Sequence, residues 1–222
     1  MKVNTEDLLA SIMASFDRID YIKSEDIPNI DLYMDQVTTF MDSRMRSKTR
    51  NPQADKVLTK TMINNYAKND LLPPPVKKKY SKEHMLVLIF IYYFKNILSI
   101  GDIQNLLNPL TERFFGKEEG FDLTAVYDEV FRFEEQQVQA IKKDVTQRYQ
   151  LAQESFKDAD GEDREFLQYF SFICLLSFDV YVKKQLIESL IDELAKKKED
   201  AAVETPKKAK SKEKQGKSEE KK

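Results

Sequence analysis

Three consecutive prolines, Pro73–Pro75, constrain the fold of this chain more than any other feature of the sequence. Proline has no backbone N–H and a fixed φ, so a helix that precedes these residues must end before them. Residues 60–69 carry apolar side chains at helical spacing, and Thr59 before them is a favourable N-cap. Three lysines follow the prolines, and Ser81 then caps another helix. The sequence therefore predicts two helices joined by an extended basic hairpin at residues 73–80.

Most of the remaining chain is also predicted to be helical. We predict helices in six further segments, namely 5–18, 31–45, 82–98, 99–114, 122–156 and 162–197, and a bend in 122–156 near residues 134–137. We expect Asn4 and Asp31 to cap the first two of these helices. Helix 82–98 is apolar nearly all round, which predicts contacts on several sides. The last two helices are joined by a short turn around Gly161, and short connections place successive helices side by side.

Positive charge is concentrated in one part of the chain. The whole chain has a net charge of −2, but eleven basic and only three acidic side chains lie between Arg44 and His84. This segment is therefore +8, which leaves −10 for the remainder. A localised basic patch attracts the phosphate backbone of nucleic acids. The alternative interpretation is a lysine-rich surface that is merely solvated.

A polar helix beside a basic hairpin suits a DNA groove flanked by phosphates. The helix 60–69 offers short amides and hydroxyls, and an asparagine there can pair with adenine through two hydrogen bonds. The hairpin lysines would hold the adjacent backbone. The candidate DNA-binding residues are Thr59, Lys60, Thr61, Asn64, Asn65, Tyr66, Lys68, Lys77, Lys78, Lys79 and Tyr80.

This region resembles the winged helix-turn-helix of the MerR family of bacterial transcription regulators. The matching residues are Thr59, Tyr66, Leu71-Leu72-Pro73, Lys78 and Tyr80-Ser81, with Met34–Phe40 before them and Leu98-Ser99-Ile100 and Asp102-Ile103 after them. More narrowly, residues 27–107 resemble a bacterial domain family with no assigned function. The chain departs from the MerR pattern in four ways: Asn64 stands where an arginine is usual, Asn65-Tyr66 replaces a pair of tyrosines, the wing is short, and the cysteine cluster of the metal-sensing members is missing.

The sequence patterns and the resemblance together predict a mainly all-α fold in four parts. These are an N-terminal helix in residues 1–30, a winged helix-turn-helix with a small two-stranded wing in 31–115, a long helical hairpin in 121–198 and a disordered charged tail in 199–222. The tail prediction also follows from composition, because it has too few large apolar residues to bury a core. Double-stranded DNA is the implied partner.

The resemblance further implies a homodimer formed through residues 122–156 or 166–194. The residues themselves leave open the alternative that both helices cover the core of their own chain. The aromatic residues between Phe166 and Tyr181 are compatible with ordinary packing or with a small-molecule pocket, whose effector the sequence does not identify. A helical adaptor that binds a protein through the C-terminal helices is the alternative function.

Catalytic and metal-binding patterns are weak in this sequence. The single histidine, His84, lacks a neighbouring acid and nucleophile, and Asp158–Gly161 does not have the spacing of a calcium loop. We expect neither an enzyme nor a cofactor or metal site. The single cysteine, Cys174, lies in an apolar run and is predicted to be a buried thiol in a reducing cytoplasm. The longest uninterrupted apolar run, Met85–Phe94, is about half the length that a bilayer requires, so we expect no membrane segment.

Overall fold

The computed structural model describes residues 5–16, 22–117 and 120–216, and it is mostly helical with one small antiparallel sheet. In chain order the elements are α1 (Thr5–Phe16), β1 (Leu32–Tyr33), α2 (Met34–Met45), α3 (Lys60–Lys68), β2 (Lys79–Tyr80), α4 (Lys82–Phe94), α5 (Ile100–Phe114), α6 (Leu123–Phe131), α7 (Glu134–Gln153) and α8 (Gly161–Gly216). The sheet pairs β1 with β2, with Leu32 opposite Tyr80. The predicted helical fold class is confirmed at this level.

Helix α4 is the centre of the larger hydrophobic core. Every residue from His84 to Tyr92 is buried, so this helix is enclosed on all sides, as its apolar composition predicts. Side chains of α2, α3, α5 and α6 pack around it. The two short strands cover one side of this core, since the paired residues Leu32 and Tyr80 are both buried.

Side-chain caps fix the predicted starts of two helices. The Thr59 hydroxyl accepts a hydrogen bond from the N–H of Met62 at 3.2 Å, and the Ser99 hydroxyl accepts one from the N–H of Asp102 at 3.1 Å. Asp31 does not cap α2, because β1 intervenes and the helix begins only after Tyr33. The predicted cap Asn4 lies outside the described residues.

The predicted helix 122–156 is divided into two. Helix α6 ends at Phe131, and α7 starts afresh at Glu134. Helix α6 belongs to the larger core, since Leu123 and Tyr127 are fully buried in it and the Tyr127 hydroxyl donates to the carbonyl of Ile22. The larger core therefore extends beyond residue 121, where the sequence places the start of the C-terminal hairpin.

Helices α7 and α8 form the predicted antiparallel hairpin, held by a small apolar cluster and by polar bonds. The cluster contains Val145, Ala152 and Phe172, with residues of α1 packed against it. The buried amide of Gln168 donates to the carbonyls of Gln153 and Ser155 at 2.7 and 3.1 Å.

An ion pair also crosses the hairpin. The Arg148 guanidinium of α7 binds Asp179 of α8 at 3.1 Å and Asp144 of its own helix at 2.7 Å. Its Nη1 also donates to the Leu175 carbonyl. Polar groups on α8 are thus satisfied by α7 along the face where the two helices meet.

Farther along, α8 returns to the larger core. Ile191 is buried there and Ile187 packs against it. The helical backbone continues to Gly216, through most of the segment that composition predicts to be disordered. Alanine, lysine and glutamate are strong helix formers, a preference that an argument from burial does not include. Residues 217–222 lie outside the described part.

The outer side of α8 differs from the sequence-based expectation. Cys174 is exposed rather than buried, because its helical position faces away from α7. The part of this helix from Gly161 to Lys198 is also long and apolar enough to cross a membrane by length and composition. Counting uninterrupted apolar runs missed it, since isolated polar residues such as Gln168 and Asp179 divide the run.

Candidate nucleic-acid interface

Helix α3 has one buried side and one polar side. Ile63 and Tyr66 are buried against the larger core, which anchors the helix. On the opposite side the exposed residues are Thr61, Asn64, Asn65 and Lys68. Their spacing of three, four and seven places them on one face of the helix. This face carries a hydroxyl, two amides and an ammonium group, which can donate or accept hydrogen bonds with a polar partner.

The basic hairpin turns tightly at Lys77 and Lys78. Val76 and Lys79 are joined by two backbone hydrogen bonds of 3.0 and 3.1 Å, so only two residues form the loop. Both loop residues have positive φ, 51° for Lys77 and 64° for Lys78, as a type I′ turn requires. Asparagine and glycine are the residues that this conformation favours. A lysine in this region costs roughly 1–2 kcal/mol, so the hairpin is strained where it presents these two side chains.

The hairpin and α3 meet at the first turn of α2. The Lys79 ammonium lies 5.2 Å from the centre of the Tyr33 ring, in a cation–π contact. Tyr33 is the N-cap of α2, and Asp35 in its first turn forms an ion pair with Lys60 at the start of α3. One short segment of chain thus fixes the lysine hairpin and the N-terminal end of α3 beside each other.

His84 supports the base of the hairpin. It is 2% exposed and lies between the rings of Tyr80 and Phe115, with centroid distances of 5.5 and 4.8 Å. Its Nδ1 accepts the backbone N–H of Ser81 at 3.0 Å, so the ring proton must reside on Nε2, which faces the Pro74 carbonyl at 3.4 Å.

The histidine therefore connects the two arms that lead into and out of the hairpin. Burial lowers the pKa of His84 below its usual 6.5, because the charged ring is poorly solvated there. The neutral ring is the form that the Ser81 bond requires.

The structure distributes the predicted site residues between the surface and the core. Lys60, Thr61, Asn64, Asn65, Lys68, Lys77 and Lys78 are exposed, and Lys79 is half-buried. Tyr66 and Tyr80 are 7% and 3% exposed, so their rings are core residues and are removed from the surface that DNA could contact. Thr59 is half-buried and its hydroxyl is used as the helix cap.

The sequence analysis did not identify Tyr33 and Asp35 as part of the candidate interface formed by α3 and the lysine hairpin. Leu32 is buried and Tyr33 exposed, an alternation that indicates a strand, but a two-residue strand is too short for the pattern to be recognised. Among the described residues, no group of His, Cys, Asp and Glu side chains could hold a metal ion.

Comparison with known proteins finds a family model that matches the part of the chain containing this surface. Residues 22–130 match a family described as a domain of unknown function (DUF1836). The matched segment contains the whole candidate interface and also residues 27–107, for which the sequence indicates a family of unknown function. It ends within α6, whose Leu123 and Tyr127 belong to the larger core. No curated protein and no solved structure matches the chain.

Proposed function

We propose that this protein binds double-stranded DNA and regulates transcription, with α3 in the major groove and the lysine hairpin on the adjacent phosphates. One observation carries the proposal: the polar face of α3 and the strained lysine hairpin are held together at the first turn of α2. This arrangement has the two functions that a DNA-reading surface needs, base contacts and backbone contacts.

The chemistry of the α3 face fits base recognition. Asn64 and Asn65 each carry an amide that can pair with the N6 and N7 atoms of adenine. Thr61 can contact a base or a phosphate, and its methyl group can pack on thymine. Lys60 and Lys68, near the two ends of the helix, are placed for phosphate contacts. In this proposal α2, α3, the lysine hairpin and the small sheet that pairs β1 with β2 act together as a winged helix-turn-helix.

Backbone strain at the hairpin supports a functional role for its lysines. A sequence selected only for stability would place asparagine and glycine at positions 77 and 78. Strained backbone tends to persist at functional sites, where the side chain presented compensates for the cost. Two ammonium groups at the tip of a short, rigid loop are suited to contact phosphates on either side of a groove.

The test is binding to random and selected DNA duplexes over a salt series. Replacing Lys77, Lys78 and Lys79 by glutamine should weaken binding and reduce the slope of log K against log salt by about 2–3, since each phosphate contact contributes roughly 0.9. A second run of three lysines, Lys196–Lys198, provides a matched control with the same change of charge. An unchanged slope in the hairpin variant, or equal effects of both variants, would contradict the proposal.

Base recognition is tested separately on α3. Selection of duplexes from a random pool should yield a preferred sequence for the wild type. Asn64→Ala and Asn65→Ala should each reduce the preference for that sequence, by roughly 1–3 kcal/mol where the residue makes a bidentate contact. Their affinity for unrelated duplex should stay the same, because the lysines are intact. Loss of affinity for all duplexes alike would assign these residues to the backbone instead.

A protein-binding adaptor is the second candidate, and the exposed apolar side of α8 favours it. In that case the acidic part of the chain outside residues 44–84, together with the C-terminal helices, would form the surface that binds the partner. Retention of a protein partner that is insensitive to salt, together with no retention of duplex at low salt, would replace the DNA-binding proposal with this one.

A further inference from the structure

Helix α3 is short, and the core holds it only near its middle. It has nine residues, of which Ile63 and Tyr66 are buried. An isolated helix of fewer than about 12–15 residues is marginal in water, so α3 depends on contacts with the rest of the chain. The two buried side chains lie within one turn, and an anchor of that kind leaves the tilt of the helix free. The tilt of α3 is therefore set by contacts at its two ends.

Lys95 holds the segment that leads into α3. It is the C-cap of α4, and its Nζ donates a hydrogen bond of 2.7 Å to the carbonyl of Val57. Val57 and Leu58 are buried, and Thr59, the N-cap of α3, follows them directly. The bond thus fixes the backbone two residues before the N-cap, at the end of an irregular connection from α2.

The environment of Lys95 is unusual for a lysine at the end of a helix. The side chain is half-buried, and burial lowers the pKa of its ammonium group. The Nζ also lies 4.9 Å from the centre of the Tyr92 ring, in a cation–π contact. Burying a charge is costly unless it is hydrogen-bonded, and here the carbonyl of Val57 accepts that bond. A lysine that served only solubility would extend into water instead.

Gln104 holds the opposite end of α3. It lies in the second turn of α5, and its side-chain Nε2 donates a hydrogen bond to the carbonyl of Asn69, the C-cap of α3. Carbonyls at the C-terminal end of a helix have no partner within it, so this bond satisfies one of them. Asp70 follows with a φ of 54°, and the chain turns away from the helix there. The bond thus fixes the point at which α3 ends.

We propose that Lys95 and Gln104 are positioning residues that set the orientation of α3 in the DNA groove. Both come from the corner where α4 ends and α5 begins, so one part of the core restrains both ends of α3. They act through α3, by aiming the polar face that carries Asn64 and Asn65. The inference rests on the proposed DNA binding and adds to it how the face that reads bases is directed.

The aim of this face matters more for base recognition than for phosphate contacts. A helix with its side chains is about 10 Å across, so a tilt of about 10° around the buried side moves the opposite face by roughly 2 Å. A displacement of that size takes an amide out of the narrow range of distances at which it hydrogen-bonds to a base. Lysine ammonium groups on flexible stems follow a phosphate over the same distance. Loss of either bond should therefore reduce discrimination between DNA sequences more than overall affinity.

The ratio of the affinities for selected and unrelated duplexes tests the proposal. Lys95→Met and Gln104→Met remove the two donors and keep side chains of similar length. Each should lower the ratio by about fivefold or more, as expected for the loss of one bidentate base contact. Lys198→Met and Gln185→Met are the matched controls, since they make the same chemical changes at exposed positions of α8 and should leave the ratio unchanged.

A conservative replacement separates positioning from packing. Lys95→Arg retains a cationic donor, so it should recover most of the ratio that Lys95→Met loses. Ratios that stay at the wild-type value in both Lys95→Met and Gln104→Met, measured where the variants are fully folded, would overturn the proposal. The Gln104 bond is exposed, so its removal leaves a folded protein even if Lys95→Met does not fold.

Amide hydrogen exchange of the free protein distinguishes a failure of this inference from a failure of DNA binding. In either variant the amides of α3 should exchange about 2- to 10-fold faster, the worth of one hydrogen bond, whereas those of α6 should keep the wild-type rate. An equal increase in α3 and α6 would show a general loss of stability and overturn the positioning role. A wild type that binds no duplex, with faster exchange confined to α3, would end the proposed function and leave the restraint on α3 established.

Discussion

Helices α4 and α8 are both strongly apolar, and the surroundings of the two are opposite. In α4 every residue from His84 to Tyr92 is buried by helices of the same chain. In α8 the side away from α7 leaves Phe166, Phe170 and Tyr181 exposed. An apolar composition therefore indicates that a helix has side chains to bury. It does not show whether residues of the same chain cover them. Residues of the same chain surround α4, whereas one side of α8 is left exposed in the described part of the chain.

The largest expected effect on stability comes from testing this difference with a leucine-to-alanine substitution in each helix. Leu88→Ala in α4 should lower the free energy of unfolding by about 2–5 kcal/mol, because it opens a cavity in a closed core. Leu190→Ala in α8 should cost no more than roughly 0.5 kcal/mol, since that side chain is exposed. Urea unfolding of both variants gives the comparison. Equal losses would mean that Leu190 is buried in solution.

The second prediction concerns the N-terminal region, where a closed core supports the strained lysine hairpin, and its expected effect on stability is intermediate in size. Replacing Lys77 by asparagine and Lys78 by glycine should raise the free energy of unfolding by about 1–2 kcal/mol, because these residues adopt positive φ at little cost. The same variant should bind duplex more weakly, having lost two ammonium groups. Thermal unfolding and duplex titration measure the two effects, with Lys196→Asn/Lys197→Gly as the control. A variant that is both less stable and weaker in binding would contradict the strain argument.

The smallest expected effect is the pH dependence of the free energy of unfolding that arises from His84, which is buried beneath the hairpin. Since the pKa of His84 is lowered from 6.5 in the folded state, the unfolded chain takes up a proton first as the pH falls. The free energy of unfolding should therefore decrease below about pH 6.5 and become level below the folded pKa. Burial raises the pKa of neighbouring Glu83, which acts in the opposite direction at lower pH.

The sequence has a single histidine, so its imidazole signal in an NMR titration can be assigned without ambiguity. Its titration gives the folded pKa. Urea unfolding at neutral pH and at roughly pH 5 should show a smaller loss of stability for His84→Gln than for the wild type. A titration midpoint at or above 6.5 would contradict the burial argument.

Local patterns predicted the helices of the N-terminal region well. Thr59 and Ser99 cap the helices that the sequence assigned to them, because a cap depends on residues within one turn. Helix α3 ends before the prolines, as expected, and Asp70 turns the chain out of the helix with a φ of 54°. The exposed polar face of α3 also followed from spacing alone.

Features that depend on distant contacts could not be predicted in the same way. The burial of Tyr66 and Tyr80 requires knowledge of what packs on α3 and β2, and both were assigned to the DNA surface. The exposure of Cys174 depends on which side of α8 meets α7. The sequence predicts a bend near residues 134–137, and the structure has a complete break just before them, because α6 packs in the larger core and α7 does not.

Helix α8 is the only element that reaches both the α7 cluster and the larger core within the described chain. It has exposed aromatic residues at one end and Ile187 and Ile191 in the core at the other, with no flexible linker between them. The α7 cluster and the larger core are therefore held at a fixed distance and rotation by a single rigid rod. Each residue of that rod contributes about 1.5 Å of length and 100° of rotation. Inserting one residue between Phe172 and Ile187 would turn one cluster against the other by that angle.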